Sequence, residues 1–422
     1  MFMILILFIV FFLGLPIGFA LGIVSTVQIV QMGVSMNMVT QRLFSGIDST
    51  TLTAVLLFTL AGSLMMKGGM SDRLISFADA LVGHLPSGMA MVSVLACMFF
   101  AALTGAAVAA AAAIGGIMIP VMLEKGYDKG FTSSLLATAS SIGPIIPPSI
   151  PLLIYGVIAS CSVAKLFIGG IIPGILMGVS LMAVSYFVGK KRGYIGRPKR
   201  ATAKEIFTAA KSAVFALLIP VIILGGIMSG IFTATESASI AVVYALLIGI
   251  FIYKTLPLRE ILASLIDASK TTGMVLLVVG FASLFTWVIS MQMLPARLTE
   301  LMSSVIHSKY LFLLVVNVIL LIAGTFIDTT SAVLIFSPLF LPMAQSFGID
   351  PIHLGVVIAV NLSIGMCTPP LGVCLFVTSG ITQLPLKGMF RDLIPQLAAL
   401  VIVLLIITYF PWTVTALPAL VA

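Results

Sequence analysis

Between Lys129 and Lys165 the chain carries no charged residue, yet this uncharged run holds Gly143-Pro144 and Pro147-Pro148 near its middle, in the stretch SSIGPIIPPSIP. A run of this length is ample to cross a bilayer as one helix. Proline removes a backbone donor and pushes the residue before it out of helical geometry, so two in succession stop the helix partway. Comparable apolar blocks recur along the 422 residues, of which 61% are apolar and 8% charged. The blocks are continuous and do not alternate, which excludes a transmembrane β-barrel and predicts an all-α polytopic membrane protein. The opening stretch MFMILILFIVFFLGLP has no basic leader and no small-residue cleavage site, so it is expected to be a retained first helix.

The apolar pattern predicts spans at 1–14, 17–34 and 50–67, a hairpin at 88–123, a broken span at 131–160 and a span at 166–188. A second series is expected at 212–231, 237–253, 271–291, a hairpin at 310–344, a broken span at 352–382 and a span at 393–412. Short amphipathic arms precede each hairpin, near 71–84 and 293–306. With the N-terminus placed outside, seventeen of the 21 Lys and Arg residues fall on the cytoplasmic side, leaving Arg42, Lys165, Arg297 and Lys309 outside. The bias fixes the orientation and accounts for the net charge of +8 without any nucleic-acid partner. A basic cytoplasmic linker, 189–211, divides the chain into repeats at 1–188 and 212–422.

The two halves share a pattern. An offset of 222 residues aligns 120–173 with 342–395 and matches 13 of 54 positions, among them Gly126/Gly348, Asp128/Asp350, Ser141/Ser363, Gly143/Gly365, Pro147/Pro369 and Pro148/Pro370. Each half has five crossings plus a hairpin, an odd number, so the copies are expected to run in opposite directions. Inverted repeats of this kind are characteristic of alternating-access carriers.

Interrupting a helix inside hydrocarbon costs several kcal/mol for each unsatisfied amide or carbonyl. The paired interruptions SSIGPIIPP and NLSIGMCTPP are therefore expected to turn backbone oxygens toward a ligand near mid-membrane, for which Na+ is the natural candidate. Each hairpin arm reaches about 24 Å, short of the ~30 Å core, which suits a re-entrant loop, although two short full spans fit equally. Asp328 lies at the second hairpin turn, where it either meets a ligand or caps the second arm. Glu236 in Thr233-Ala-Thr-Glu236 fits a capping box and a structural role. Asn361, inside the second broken span, has no such local role. Four cysteines and three histidines show no metal-ligand spacing, and no nucleophile, base and orienting group converge, so neither a metal enzyme nor a hydrolase is expected.

The stretches GPIIPPSIPLLIYG (143–156), SGIFTATESASIAVVYAL (229–246), FIDTTSAVLIFSPLFLP (326–342) and GIDPIHLGVVIAVNLSIGMCTPPLG (348–372) resemble the large membrane subunit of tripartite ATP-independent periplasmic (TRAP) transporters, within the ion-transporter superfamily. The resemblance covers essentially the whole chain. It departs at the first hairpin turn, LTGAAVAAAAAIGG, where relatives often carry more serines or an acid. What it implies is a Na+-driven importer of the bacterial inner membrane. In such elevator-type proteins the hairpins and broken helices form a moving transport domain, and the remaining helices and arms a scaffold. By the same resemblance, a first Na+ site uses Thr104, Gly105, Ser141, Gly143 and Pro147, and a second uses Gly324, Thr325, Asn361, Gly365 and Thr368. The substrate, an organic acid of the sialic acid or C4-dicarboxylate class, is implied near Thr104, Ser140, Asp328, Asn361, Pro148 and Pro370. No cofactor beyond Na+ is implied. The implied partners are a small four-helix membrane subunit and a periplasmic substrate-binding protein. A stand-alone anion carrier of the superfamily and a non-coupled channel or scaffold are the other readings of these residues.

Overall fold

The computed structural model describes residues 6, 9, 10 and 14–420. Most of the expected first span, 1–14, lies outside the described residues. Among those described the chain is helical with no strand, and seven helices are long and apolar enough to cross a membrane. It is a multi-pass membrane protein.

The helices follow the apolar blocks closely. The chain starts with α1 (Ile17–Gln31), α2 (Asn37–Ile47), α3 (Thr50–Lys67) and the arm α4 (Met70–Val82). The first hairpin is α5 (Gly88–Thr104) and α6 (Ala107–Glu124), and the first broken segment is α7 (Lys129–Ser140) and α8 (Ile150–Ile158). After α9 (Val163–Arg192) come α10 (Ala203–Met228), α11 (Ala234–Leu247), α12 (Leu258–Met291) and the arm α13 (Leu294–Val305). The second hairpin is α14 (Lys309–Gly324) and α15 (Thr329–Ser346). The second broken segment, α16 (Pro351–Gly365) and α17 (Val373–Thr382), precedes α18 (Phe390–Tyr409).

Helix starts carry the expected chemistry. Thr233 and Glu236 form a capping box at α11: the Glu236 N–H donates to Thr233 Oγ1 at 3.2 Å, and the Thr233 N–H donates back to Glu236 Oε2 at 2.8 Å. Thr202 and Glu205 form a second box at α10. That box starts α10 nine residues before the expected 212, and α9 runs on to Arg192, so only 193–202 of the expected 189–211 linker is non-helical. The helix α2 was not expected, because its mixed polar sequence NMVTQRLFSGI is too short and too hydrophilic to read as a span.

The helices sort into two packed groups. In the outer group, α12 packs along α1, α2 and α3, and α11 packs on α3. In the inner group, α7 contacts α6, α17 and α18, while α16 contacts α14, α15 and α18. The helices α9 and α18 pack on each other and on the broken segments, so they side with the inner group and not with the outer helices where the resemblance left them. The arms connect the groups: α4 lies on α5 and α10, and α13 lies on α15.

The core of the inner group is the first half of each broken segment. Every residue of α7 from Gly130 to Ser140 is buried, as is every residue of α16 from His353 to Gly365. The absence of charge from Gly130 to Ser140 and from Leu354 to Gly365 allows burial on every side. Two polar side chains of α7 meet Gln396 of α18: Thr138 Oγ1 donates to Gln396 Oε1 at 2.8 Å, and Gln396 Nε2 donates to Ser134 Oγ at 3.0 Å. At one end Arg192 pairs with Asp128 at 2.8 Å and with Asp392, binding α9 to the starts of α7 and α18.

Candidate functional site

Each broken segment leaves its helix where the sequence places the proline pair. The first non-helical stretch runs from Ser141 to Ser149 and the second from Met366 to Gly372. Pro147-Pro148 and Pro369-Pro370 are both cis. Among the described residues, no donor reaches the carbonyls of Gly143, Ile145 and Pro147 in the first stretch, or those of Cys367, Thr368 and Pro369 in the second. The first stretch is held from within by Ser149, whose Oγ donates to the Pro144 carbonyl and accepts from the Leu152 N–H. In the second, the Thr325 carbonyl accepts from the Gly372 N–H at 3.3 Å, joining the hairpin turn to the break.

Both hairpin turns press directly on the breaks. Gly105, with φ of +63°, ends α5, and a Cβ there would meet the Pro148 carbonyl oxygen at 2.2 Å. A Cβ on Gly143 would lie 2.9 Å from the Ala106 carbonyl carbon. In the second half, Gly365 and Gly324 approach so closely that a Cβ on Gly365 would sit 2.6 Å from the Gly324 backbone. Glycine is required at these positions because backbone meets backbone.

Between the two turns lies a cavity of about 120 Å³. It is lined by the first turn through Gly105 and Ala106, by the first break through Pro144 and Ile150, by the second turn through Asp328 and Thr329, and by Met366 at the second break. Among the described residues, Asp328 is the only charged one lining it. That carboxylate caps α15, accepting from the Ser331 N–H at 3.0 Å. The equivalent position in the first turn is Ala106, so α6 begins with no side-chain cap.

The first implied Na+ set is divided between the first turn and the first break, which meet at two glycines. Gly105 and Gly143 lie at the contact between turn and break, Thr104, Ser141 and Pro147 are their near neighbours in the chain, and the hydroxyls of Thr104 and Ser141 are spent on the carbonyls of Phe100 and Thr138. In the second set Gly324, Thr325, Gly365 and Thr368 cluster in the same way, with Thr368 Oγ1 donating to the Ile364 carbonyl at 2.9 Å. Asn361 lies a turn earlier. Its amide donates to Asn317 Oδ1 at 2.9 Å and to the Asn317 carbonyl at 3.0 Å, while its own Oδ1 is buried without a partner among the described residues.

Of the residues implied near substrate, Asp328 lines the cavity, while Thr104, Ser140, Asn361, Pro148 and Pro370 do not. Ser140 is buried and donates to the Ala137 carbonyl. Pro370 is exposed. Thr329, Thr330 and Met366 line the cavity and were not singled out from sequence. Ser363 was also missed, although its match to Ser141 at the 222-residue offset signalled it. It is fully buried, and its Oγ has no partner among the described residues.

Comparison with known proteins places this arrangement. A family model described as "Tripartite ATP-independent periplasmic transporter, DctM component" matches residues 4–413. The chain is 42% identical over 377 residues to the C4-dicarboxylate TRAP transporter large permease protein DctM of Pseudomonas aeruginosa, covering 89% of this chain and 88% of that one. It is 39% identical over 410 residues to the sialic acid TRAP transporter large permease protein SiaM of Vibrio cholerae, covering 97% and 96%. It is 41% identical over 399 residues to the isethionate TRAP transporter permease protein DctMQ of Oleidesulfovibrio alaskensis, and there 94% of this chain spans 63% of the relative's length. Among solved structures, the YdaH transporter of Alcanivorax borkumensis has a similar fold, with a TM-score of 0.60 at 15% identity over 89% of this chain and 88% of that one.

Proposed function

This chain belongs to the DctM component family of tripartite ATP-independent periplasmic transporters, and on that premise we propose that it is the carrier subunit of a Na+-driven importer of an organic acid. The observation that carries the reading is the central cavity, walled by both hairpin turns and both breaks, with donorless carbonyls in each break.

In this mechanism two inverted repeats, 1–188 and 212–422, bring two re-entrant hairpins to mid-membrane. Each break presents uncharged, hard oxygen atoms, which suit a monovalent cation without the cost of burying a carboxylate. The first Na+ is held at Thr104, Gly105, Ser141, Gly143 and Pro147. The second is held at Gly324, Thr325, Gly365 and Thr368, with the Oδ1 of Asn361 and the hydroxyl of Ser363 as spare buried oxygens near the second break. The acid lies in the cavity, its anionic group toward the uncapped start of α6, where free amides and the helix dipole favour negative charge. Na+ bound behind each turn steadies it, so that ion binding precedes and supports anion binding.

The inner group then moves as a body against the outer group in an elevator motion. The Arg192 clamp and the cross-bonds between Thr138, Gln396 and Ser134 suit a unit that stays intact while it moves. The arms α4 and α13 lie where such a motion must be absorbed. The setting is the bacterial inner membrane, with the N-terminus periplasmic and the basic linker cytoplasmic. A small membrane subunit braces the outer group and a periplasmic binding protein delivers substrate. The relatives compared above are named for isethionate, C4-dicarboxylate and sialic acid, each an organic anion, which supports the acid class.

Reconstitution with both partners tests the proposal. An inward Na+ gradient is expected to drive uptake of the cognate acid and an inward K+ gradient is not. Equal uptake with either ion would remove Na+ coupling, and full uptake without the binding protein would favour a stand-alone carrier.

A further inference from the structure

Outside the central cavity, the linker at 193–202 forms a second built feature. It is pinned by its backbone: the Ser87 N–H donates to the Tyr194 carbonyl at 3.0 Å and the Arg197 N–H to the Gly83 carbonyl at 2.7 Å. Gly196 lies so near the 83–88 turn that a Cβ would meet the Leu85 carbonyl oxygen at 2.1 Å. Arg197 spans Asp79 at 3.7 Å and Glu205 at 3.5 Å. Beneath this clasp is a cleft of about 440 Å³, lined by Asp79, Met89, Lys125, Ile195 and Arg197 among others.

The charges around the cleft do not cancel. Arg197 and Lys125 equal Asp79 and Glu205 in number, but both carboxylates are held by Arg197, which leaves Lys125 without an ion pair, and the positive excess comes from the lysines and arginine around the clasp. Lys125 is exposed and touches Met89 Sδ at 3.1 Å, with no carboxylate in ion-pair reach among the described residues. Lys190, Lys191, Lys199 and Arg200, just before and after the clasp, are likewise exposed and without an ion pair among the described residues. Beside this positive field stand large exposed apolar side chains. Ile195 is 84% exposed, and Phe187 and Phe207, on the helices flanking the linker, are 69% and 71% exposed. A soluble anion needs no apolar flank, whereas a lipid brings a charged head and hydrocarbon together.

We propose that this cleft is a binding site for a phosphate-bearing anion, the phosphodiester head group of an anionic phospholipid, with Lys125 as its charge partner and Ile195 against the acyl chain. Basic pockets at the cytoplasmic ends of membrane helices favour such head groups through charge and proximity to the anionic leaflet. The inference rests on the orientation given above, in which this edge meets the cytoplasmic leaflet. The bound lipid would join the arm α4, the first hairpin and the linker at one point.

Native mass spectrometry of the purified chain, titrated with phosphatidylglycerol and with phosphatidylcholine, tests it without any transport assay, so a failure of the transport reading leaves the result intact. Wild type is expected to retain phosphatidylglycerol over phosphatidylcholine, and K125Q to lose about fivefold in that preference, with K125Q/K199Q/R200Q losing more. The control K254Q/R259Q/K270Q removes three charges elsewhere and is expected to bind as wild type. No preference in wild type, or equal losses in the control, would overturn the site. Displacement of the lipid by millimolar inorganic phosphate would assign the cleft to a soluble anion and overturn the lipid.

Discussion

The two hairpin turns occupy matching places in the sequence, and they differ in what stands at the start of the second arm. In the first turn Ala106 leaves α6 without a side-chain cap, and the first residues of α6 line the cavity. In the second, Asp328 supplies a carboxylate from the chain itself and satisfies Ser331. The breaks differ in a complementary way. Ser141 Oγ is bonded to the Thr138 carbonyl, whereas its counterpart Ser363 is buried without a partner among the described residues. In the proposed mechanism this difference divides labour: the uncapped first turn suits the anion, and the spare oxygen at the second break adds to its cation site.

The largest effects are expected where the halves agree. Gly365→Ala forces a Cβ to 2.6 Å from the Gly324 backbone, and Gly105→Ala adds φ of +63° to a 2.2 Å clash with Pro148. Each is expected to abolish uptake and to lower stability by about 1–3 kcal/mol, read by thermal unfolding. Equal tolerance of alanine at both positions would show that the turns do not bear on the breaks.

The next effect removes the asymmetry itself. Ala106→Asp makes the first turn resemble the second, and its carboxylate is expected to compete with the substrate's anionic group for the α6 amides. Uptake should fall by about tenfold or more while stability holds or rises by about 0.5–1 kcal/mol, as a new cap would give. A variant that transports normally would move the anion elsewhere.

A smaller effect sharpens the cation side. Ser363→Ala is expected to raise the Na+ concentration for half-activation by about tenfold, in line with losing one ligand worth ~1.4 kcal/mol. Thr368→Ala and Ser141→Ala act in the same direction but less, because both hydroxyls already donate to a carbonyl. The smallest effect lies outside the comparison. Glu236→Ala breaks the α11 capping box and should lower stability by about 1 kcal/mol with Na+ activation unchanged.

Much of this arrangement was legible in the sequence because the signals were backbone signals. Proline pairs and the Thr233/Glu236 box act through local geometry, and each appears where its residues predicted. The 222-residue offset located both breaks. Side-chain direction was less legible. Asn361 was expected at the site by its type, but its amide turns to Asn317, a residue 44 positions away whose pairing no local pattern announces. The lining role of Thr329 and Met366 depends on how the second turn meets the first break, a contact between halves. The placement of α9 and α18 in the inner group was also hidden, since their apolar sequences suit lipid and protein neighbours alike.

The breaks act as cation sites in the proposed mechanism, and a thermal-stability titration of the purified chain tests that most directly. With ionic strength held constant by choline chloride, Na+ is expected to stabilise the wild type in a saturable manner and K+ is not, and Ser363→Ala should shift the midpoint to higher Na+. Identical curves in Na+ and choline, or a midpoint unmoved by Ser363→Ala and Thr368→Ala together, would contradict it.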